Sequence, residues 1–289
     1  MNEPTARTAI DAVADACAEV ATTIAGGLLD RRDAGDGENP SGERRLAADT
    51  WADGLLADRL LDLECVGAYA SEEREDPAHA GSGLSLAVDP LDGSSNVASN
   101  NPVGTIVGVY DAPLPAAGRD LVGALYVLYG PATTMVVASE GREGVVEHRV
   151  RDGGRERTRE IEMPGAPTVF AFGGRDDDWT AAFREYVASV RGELKRRYGG
   201  AFVADVNRVL VHGGIFAYPA LRSRPAGKLR LQFEAAPMSY LVERAGGRST
   251  DGTRSILDVA ATDLHQRVPV YLGSPELIDR LESTLTEPR

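Results

Sequence analysis

Asp89-Pro90-Leu91-Asp92-Gly93-Ser94-Ser95-Asn96 is the stretch of this 289-residue chain that says most about its fold and chemistry. It follows the apolar run Leu84–Val88, which predicts that Asp89 lies at the end of a β-strand. Two carboxylates, Asp89 and Asp92, in a tight turn repel each other unless a cation lies between them. Hard divalent cations such as Mg²⁺ prefer oxygen ligands of this kind. The motif therefore predicts a divalent-metal site at a strand end.

The residues after Asp92 supply groups suited to binding an anion. Gly93 predicts a turn, and Ser94 and Ser95 are residue types that begin helices, whose first backbone N–H groups are free. A metal-carboxylate site joined to such a phosphate site indicates transfer of a phosphoryl group to water. Asp-Pro and Asp-Gly alone are ordinary turn dipeptides, so it is their combination in one motif that favours catalysis.

Another pair of carboxylates follows a second predicted strand. Glu72 and Glu73 come directly after the strand-like run Cys65–Ala70, so they could lie near the first pair at a sheet edge. The alternative is an ordinary solvated glutamate pair. Asp49 lies in a predicted helix, where its pattern alone indicates a surface residue.

Lysine is rare in this chain. Lys195 and Lys228 are the two lysines among 31 basic residues, and the net charge is −13. Such a composition resembles that of proteins from organisms living in high salt, whose carboxylate surfaces hold water. Lys228 and Arg230 are expected on one face of a strand, with Glu234 just beyond, and this face is a candidate site for an anionic substrate. The overall acidity disfavours nucleic-acid binding.

Composition limits the class of protein. With 43% apolar residues the chain can form one large domain or two of ordinary size. No run of about 18 uncharged apolar residues is present, and the N-terminus lacks a signal-peptide pattern, so we expect a soluble, cytoplasmic protein without a membrane partner. Cys17 and Cys65 are too few for a disulfide framework or a zinc cluster, and both are expected to be buried.

The first half of the chain has the pattern of an α+β fold with a largely antiparallel sheet. Helical periodicity predicts helices over Thr5–Arg31 and Glu43–Leu63, separated by a flexible polar loop, Arg32–Gly42. Consecutive strands then follow, and Arg151–Glu160 is expected to form a hairpin near a domain boundary. The predicted strands are Cys65–Ala70, Leu84–Val88, Val103–Tyr110, Leu121–Leu128, Thr133–Ala138 and Val145–Val150.

The second half alternates between strands and helices, which is typical of an α/β fold. The pattern predicts strands at Thr168–Phe172, Gly214–Tyr218 and Val268–Leu272. It predicts helices at Asp178–Val190, Phe202–Val211, Ala236–Ala245 and Pro275–Leu285.

At this point the sequence resembles a known family, the class I fructose-1,6-bisphosphatases, with their sedoheptulose-1,7-bisphosphatase relatives. They form part of the lithium-sensitive, magnesium-dependent phosphatases, which include the inositol monophosphatases. The matching stretches occur in family order over roughly 43–285: Ala70–Glu73, Val88–Asn96, Arg197–Gly200, Val203–Val206, Gly213–Pro219, Gly227–Leu231 and Asp263–Arg267. The resemblance implies a layered α-β-α-β-α sugar-phosphatase fold with two domains. Residues 1–160 would carry the metal and catalytic phosphate site, and 161–289 the distal phosphate and sugar site.

The resemblance also implies roles for individual residues. Mg²⁺, with Mn²⁺ as the alternative, would be bound by Glu72, Asp89, Asp92, Glu234 and the Leu91 carbonyl. Asp49 and Glu73 match carboxylates that help to activate the attacking water, and Asp92 is counted with them as catalytic. The reacting phosphate would be held by Gly93, Ser94, Ser95 and Arg230.

The other phosphate has its own implied ligands, Tyr198, Tyr218 and Lys228. Arg197 matches a residue that reaches across a subunit boundary into the neighbouring site. That role implies a homodimer or homotetramer.

Two departures from the family pattern bear on substrate and regulation. Gly173 and Asp176 stand near the positions of an Asn and a Tyr that contact the distal phosphate in the family. Gly83-Leu84 stand where AMP-regulated members carry a Lys-Tyr pair, and the chain begins almost at its first helix, so we expect insensitivity to AMP. His265 lies in a family stretch but is expected to be structural.

The resulting hypothesis is hydrolysis of the 1-phosphate of fructose 1,6-bisphosphate in gluconeogenesis. Within the same chemistry, sedoheptulose 1,7-bisphosphate or an inositol phosphate are alternative substrates. A sugar-phosphate-binding regulator without turnover is an alternative from another class, which the full set of acidic residues disfavours.

Overall fold

The helices follow the predicted apolar periodicity. A computed structural model describes residues 3–40, 42 and 44–286 of the chain. Its α-helices in this part are α1 (Glu3–Gly27), α2 (Ala47–Leu61), α3 (Ala181–Val190), α4 (Phe202–His212), α5 (Ala236–Arg244) and α6 (Pro275–Thr286). Ile10, Val13 and Cys17 on α1 are buried, as the three- and four-residue spacing requires.

The polar segment after α1 is a hairpin, so the prediction of a flexible loop over Arg32–Gly42 was wrong. Strand β1 (Ala34–Glu38) pairs antiparallel with β2 (Arg44–Leu46). Backbone hydrogen bonds hold this pair together, and they leave no periodic apolar pattern in the sequence. Helix α2 begins at Ala47, and Glu43, its predicted start, lies outside the described residues.

An eight-stranded sheet forms the first half of the fold. Its strands lie in the order β10-β9-β8-β7-β6-β5-β3-β4, and every neighbouring pair is antiparallel except β3 and β5. Asp152-Gly153 turns the chain from β9 into β10, which confirms the predicted hairpin. The strands are β3 (Val66–Ser71), β4 (Ala78–His79), β5 (Leu84–Asp92), β6 (Val103–Tyr110), β7 (Leu121–Tyr129), β8 (Thr133–Ser139), β9 (Val145–Arg151) and β10 (Gly154–Ile161).

A mixed five-stranded sheet forms the second half. Its order is β12-β11-β13-β17-β15, with β11 parallel to both of its neighbours and β17 antiparallel to both of its own. A separate pair, β14 with β16, lies beside the site described below. The strands are β11 (Val169–Phe172), β12 (Lys195–Arg196), β13 (Gly214–Tyr218), β14 (Leu229–Arg230), β15 (Arg248–Thr250), β16 (Arg267–Val268) and β17 (Val270–Gly273).

Helices and sheets alternate in five layers. Helices α1 and α2 pack on one face of the eight-stranded sheet, whereas α4 and α5 lie between the two sheets and contact both. Helices α3 and α6 pack together on the outer face of the five-stranded sheet. This arrangement is the predicted α-β-α-β-α layering, with an α+β first half and an α/β second half.

The two cysteines differ in their surroundings. Cys17 is buried in α1, and burial raises the pKa of its thiol to about 12, which makes it unreactive. Cys65 is only partly buried, so the prediction of burial was wrong for this residue. Over the described ranges, the helices are all too short or too polar to cross a lipid bilayer.

Candidate active site

The Asp89 motif lies where β5 runs past the end of β3. Strand β5 continues through Asp92 rather than ending at Val88, with an irregularity in its pairing to β6 between Asp89 and Asp92. The Thr105 hydroxyl donates a hydrogen bond of 2.8 Å to the Pro90 carbonyl, and Leu91 N donates one of 3.0 Å to Asp89 Oδ1. These contacts fix the turn and direct both carboxylates toward the same cavity.

Three carboxylates converge beside this turn. Because β3 and β5 are parallel and Ser71 pairs with Val88, the next residues, Glu72 and Asp89, are neighbours at one sheet edge. Glu234 arrives from a single π-helical turn, Leu231–Ala235, that precedes α5. One carboxylate oxygen from each of Glu72, Asp89 and Glu234 lies within 4.8 Å of the others, and all three residues are buried. Such a set of hard oxygen donors fits a divalent cation.

Electrostatics in the cluster supports this fit. Burial raises the pKa of Asp89 well above its usual range, and the negative charges of Glu72, Asp92 and Glu234 raise it further. Burial, with the charge of Glu234, likewise raises the pKa of Asp92 to about 7. Like charges held this close in a desolvated site are stabilised by a cation between them.

Arg230 supplies positive charge to the same cluster. Its guanidinium Nη1 lies 3.0 Å from Glu72 Oε1 and 3.7 Å from Glu234 Oε2, and its side chain is only 3% exposed. Its backbone N–H also donates to Glu234 Oε2 at 2.6 Å. Arg230 therefore offsets part of the negative charge of the cluster and lines the cavity beside it.

Asp49 and Glu73 lie at the edge of the cluster. Asp49 caps the first turn of α2 by accepting a 2.7 Å hydrogen bond from Leu46 N, and it is buried rather than on the surface. Burial raises its pKa to about 6. Glu73 Oε2 accepts a 2.7 Å hydrogen bond from Arg45 Nε, and burial raises the pKa of Glu73 as well. A pKa of about 6 makes the Asp49 carboxylate a candidate proton acceptor near neutral pH.

The Gly93 turn needs glycine for two reasons. Its φ of +75° lies in the left-handed region, and a Cβ there would lie 2.4 Å from Cβ of Ala201. From this turn a short 3₁₀ helix, Ser94–Ser99, begins. Gly93, Ser94 and Ser95 line the cavity beside the acidic cluster.

The second set of candidates lines the same cavity. Tyr198, Tyr218 and Lys228 line the same cavity, whose volume is about 230 Å³, and Lys228 Nζ lies 5.3 Å from the centroid of the Tyr218 ring. Gly173 lies under that ring, since a Cβ on it would be 2.5 Å from Tyr218 Cδ2. The absence of a side chain at 173 therefore lets Tyr218 occupy its position.

One predicted residue lies elsewhere. Arg197 is exposed outside the cavity, where its Nη1 donates to the Arg196 carbonyl at 3.0 Å. All other predicted site residues line the single cavity: Asp49, Glu72, Glu73, Asp89, Leu91, Asp92, Gly93, Ser94, Ser95, Tyr198, Tyr218, Lys228, Arg230 and Glu234. His265 also lies outside it, with Nε2 3.0 Å from the Arg74 carbonyl.

Sequence reasoning missed several lining residues. Asn39 donates a 3.3 Å hydrogen bond to Glu72 Oε1 from the hairpin that was read as a loop. Asp205, in the first turn of α4, also lines the cavity, and an acidic residue within an otherwise apolar helix turn is the signal in the sequence that marks it. The other missed lining residues are Gly200, Phe202, Phe216 and Leu229.

Comparison with known proteins places both halves of the chain in one family. Residues 7–152 match the family model described as the N-terminal domain of fructose-1,6-bisphosphatase, and 163–286 match its C-terminal domain. The chain is 53% identical over 283 residues to a class 1 fructose-1,6-bisphosphatase of Halobacterium salinarum, covering 96% of this chain and 98% of the relative. A class 1 relative from Natronomonas pharaonis is 51% identical, with 96% and 99% covered.

A solved structure gives the same result for the fold. The holo crystal structure of Leishmania major fructose-1,6-bisphosphatase superposes with a TM-score of 0.90 at 30% identity, covering 97% of this chain and 95% of that one. The layered fold and the order of the motifs along it are thus shared with a fructose-1,6-bisphosphatase.

Proposed function

This chain belongs to the class 1 fructose-1,6-bisphosphatase family and is an enzyme of that kind, and we propose that it removes the 1-phosphate of fructose 1,6-bisphosphate with a divalent metal. One observation carries the proposal: the carboxylates of Glu72, Asp89 and Glu234 converge within 4.8 Å in a cavity that Lys228 also lines. An acidic metal cluster and a separate cation suit a substrate with two phosphates.

The metal would be held by the buried acidic residues and one carbonyl, namely Glu72, Asp89, Asp92, Glu234 and Leu91. Mg²⁺ or Mn²⁺ bound there supplies Lewis-acid stabilisation of charge on the phosphoryl oxygens and lowers the pKa of bound water. Asp49, whose pKa burial raises to about 6, would accept the proton of the attacking water, and the neighbouring carboxylate of Glu73 would assist.

The reacting and distal phosphates are assigned to different residues of the cavity. Gly93, Ser94 and Ser95 would hold the reacting phosphate together with Arg230, whose guanidinium contacts Glu72 and Glu234 at the same cavity. Tyr198, Tyr218 and Lys228 hold the distal phosphate. Arg197, exposed outside the cavity, reaches into the site of a neighbouring subunit, which requires a homodimer or homotetramer.

The remaining assignments follow from this role. Residues 1–160 and 161–289 act as two domains: the first carries most residues of the metal and reacting-phosphate sites, and the second carries the distal-phosphate site and contributes Arg230 and Glu234 to the first site. The enzyme acts in the cytoplasm, in gluconeogenesis. The acidic, lysine-poor surface suits work at high salt, as in the haloarchaeal relatives.

A panel of substrates tests the proposal. Phosphate release with Mg²⁺ is measured for fructose 1,6-bisphosphate, sedoheptulose 1,7-bisphosphate and inositol 1-phosphate, each at low and molar salt. We expect the highest kcat/KM for fructose 1,6-bisphosphate. Dominant hydrolysis of inositol phosphate would contradict the proposal.

Metal affinity is expected to weaken as the pH falls. Protonation of Asp92, whose pKa burial raises to about 7, competes with metal binding, so each pH unit below about 7 should raise the dissociation constant about tenfold. Mn²⁺ binding to the substrate-free enzyme, measured by electron paramagnetic resonance at pH 5.5, 6.5 and 7.5, avoids titration of the substrate phosphate. A constant dissociation constant over this range would argue against the cluster as the metal site.

AMP is expected to leave the rate unchanged. Gly83 has a φ of +154°, and a Cβ on it would lie 2.6 Å from the Cys65 carbonyl oxygen, so no lysine can stand at this position without moving the backbone. Leu84 beside it is fully buried. Initial rates with and without millimolar AMP at subsaturating Mg²⁺ provide the measurement, and strong inhibition would show that another AMP site exists.

A further inference from the structure

A short loop before α4 forms part of the cavity wall. Residues 197–201 run from β12 to α4 and carry Tyr198, which faces the cavity, and Gly200, whose φ is +85°. Tyr198 is 41% exposed, so packing alone does little to hold it. The position of the Tyr198 side chain therefore depends on the contacts that fix the backbone of Gly199 and Gly200.

Asp205 holds that backbone. Its Oδ1 and Oδ2 accept hydrogen bonds of 2.8 and 3.0 Å from Gly199 N, and Oδ2 accepts one of 3.1 Å from Gly200 N. Arg208 Nη1 donates to Asp205 Oδ1 at 2.8 Å and to the Arg197 carbonyl at 3.1 Å. Asp205 is 0% exposed, and a fully buried carboxylate is stable only with such a set of donors.

The other side of the loop is fixed to the Asp89 motif. Asn96 Nδ2 donates a 3.0 Å hydrogen bond to the Gly199 carbonyl, and Gly93 packs directly against Ala201. The loop is therefore clamped between the 3₁₀ helix of the reacting-phosphate wall and the carboxylate of Asp205. A clamp of this kind sets the distance from the reacting-phosphate wall to Tyr198.

We propose that Asp205 is a positioning residue that fixes Tyr198 against the Gly93–Asn96 segment and so makes the cavity selective for substrates with a second phosphate. The inference rests on the proposed function, because Tyr198 is assigned there to the distal phosphate. An asparagine at 205 keeps one oxygen but places an NH₂ group against the amide donors of Gly199 and Gly200. The loop then loses at least one charge-assisted hydrogen bond.

The test compares Asp205→Asn with the wild type on fructose 1,6-bisphosphate and on p-nitrophenyl phosphate, which has no second phosphate. We expect KM for the bisphosphate to rise about tenfold with kcat within about threefold, so the ratio of kcat/KM values between the two substrates falls about tenfold. A purely structural role would lower kcat/KM for both substrates equally, and that result would overturn the proposal.

A double-mutant cycle isolates the route through Tyr198. In a Tyr198→Ala background, Asp205→Asn is expected to change bisphosphate KM less than twofold, whereas additive effects would overturn the inference. Should Asp205→Asn fail to fold, Arg208→Gln replaces it, with an expected selective KM increase of about threefold. If the proposed function is wrong, the wild-type enzyme will not prefer fructose 1,6-bisphosphate over p-nitrophenyl phosphate. That outcome is distinct from any effect of Asp205→Asn.

Discussion

Asp89→Asn is expected to lower kcat by at least about a thousandfold at saturating Mg²⁺, equivalent to about 4 kcal/mol of transition-state stabilisation. Asp89 is the central member of the buried cluster, and its carboxylate lies near those of both Glu72 and Glu234. Asparagine has the same size and can still accept the hydrogen bond from Leu91 N at Oδ1. The substitution therefore removes charge from the metal site while the turn keeps its shape.

Stability measurements separate loss of metal from loss of fold. Burial and neighbouring charges disfavour the ionised form of Asp89, so the metal-free variant should unfold at a temperature equal to or above that of the metal-free wild type. Addition of Mg²⁺ should raise the melting temperature of the wild type only. Asp58→Asn, at an exposed position on α2, is the matched control and should behave as wild type. Full activity of Asp89→Asn would refute the metal scheme.

Long elements of this fold could be predicted from sequence because their periodicity reflects burial. Val103–Tyr110 and Gly214–Tyr218 have the predicted bounds, and each of these strands is almost entirely buried. A strand of two residues, such as β12, has no period to read, because its pairing depends on a partner far along the chain. The β1–β2 hairpin was missed for a different reason: β1, with the sequence Ala-Gly-Asp-Gly-Glu, has no apolar alternation that would mark a strand.

The candidate site was predictable where a residue followed a strong strand or belonged to a motif. Asp89 and Glu72 follow adjacent parallel strands, so the topology brings them together. Asn39 was not predictable, because its hairpin has no apolar pattern. The contacts of Asp205 could not be predicted from sequence, because they depend on the path of the loop before α4. Its carboxylate binds backbone amides, which leave no signal in the sequence.

Lys228, one of the two lysines of the chain, lines the cavity, and we propose that it binds the distal phosphate. Lys228→Ala is expected to raise KM for fructose 1,6-bisphosphate by about tenfold to a hundredfold, which is the range for losing a hydrogen bond or ion pair to a charged group. Lys228 lies over the Tyr218 ring, so the ring keeps its place on Gly173 when the ammonium is removed, and kcat should change by less than about threefold. KM and kcat of the variant and the wild type are obtained from initial rates at low salt.

Two controls distinguish a local contact from the general charge of the protein. Lys195→Ala removes the other lysine, which is exposed on β12, and should leave KM within about twofold of wild type. Lys228→Arg keeps the charge and should recover most of the affinity. Because Lys228 is only partly buried, molar salt should reduce the effect of Lys228→Ala to severalfold. An equal KM increase for p-nitrophenyl phosphate would mean that Lys228 contacts the reacting phosphate, and the distal site would then have to be assigned to other residues.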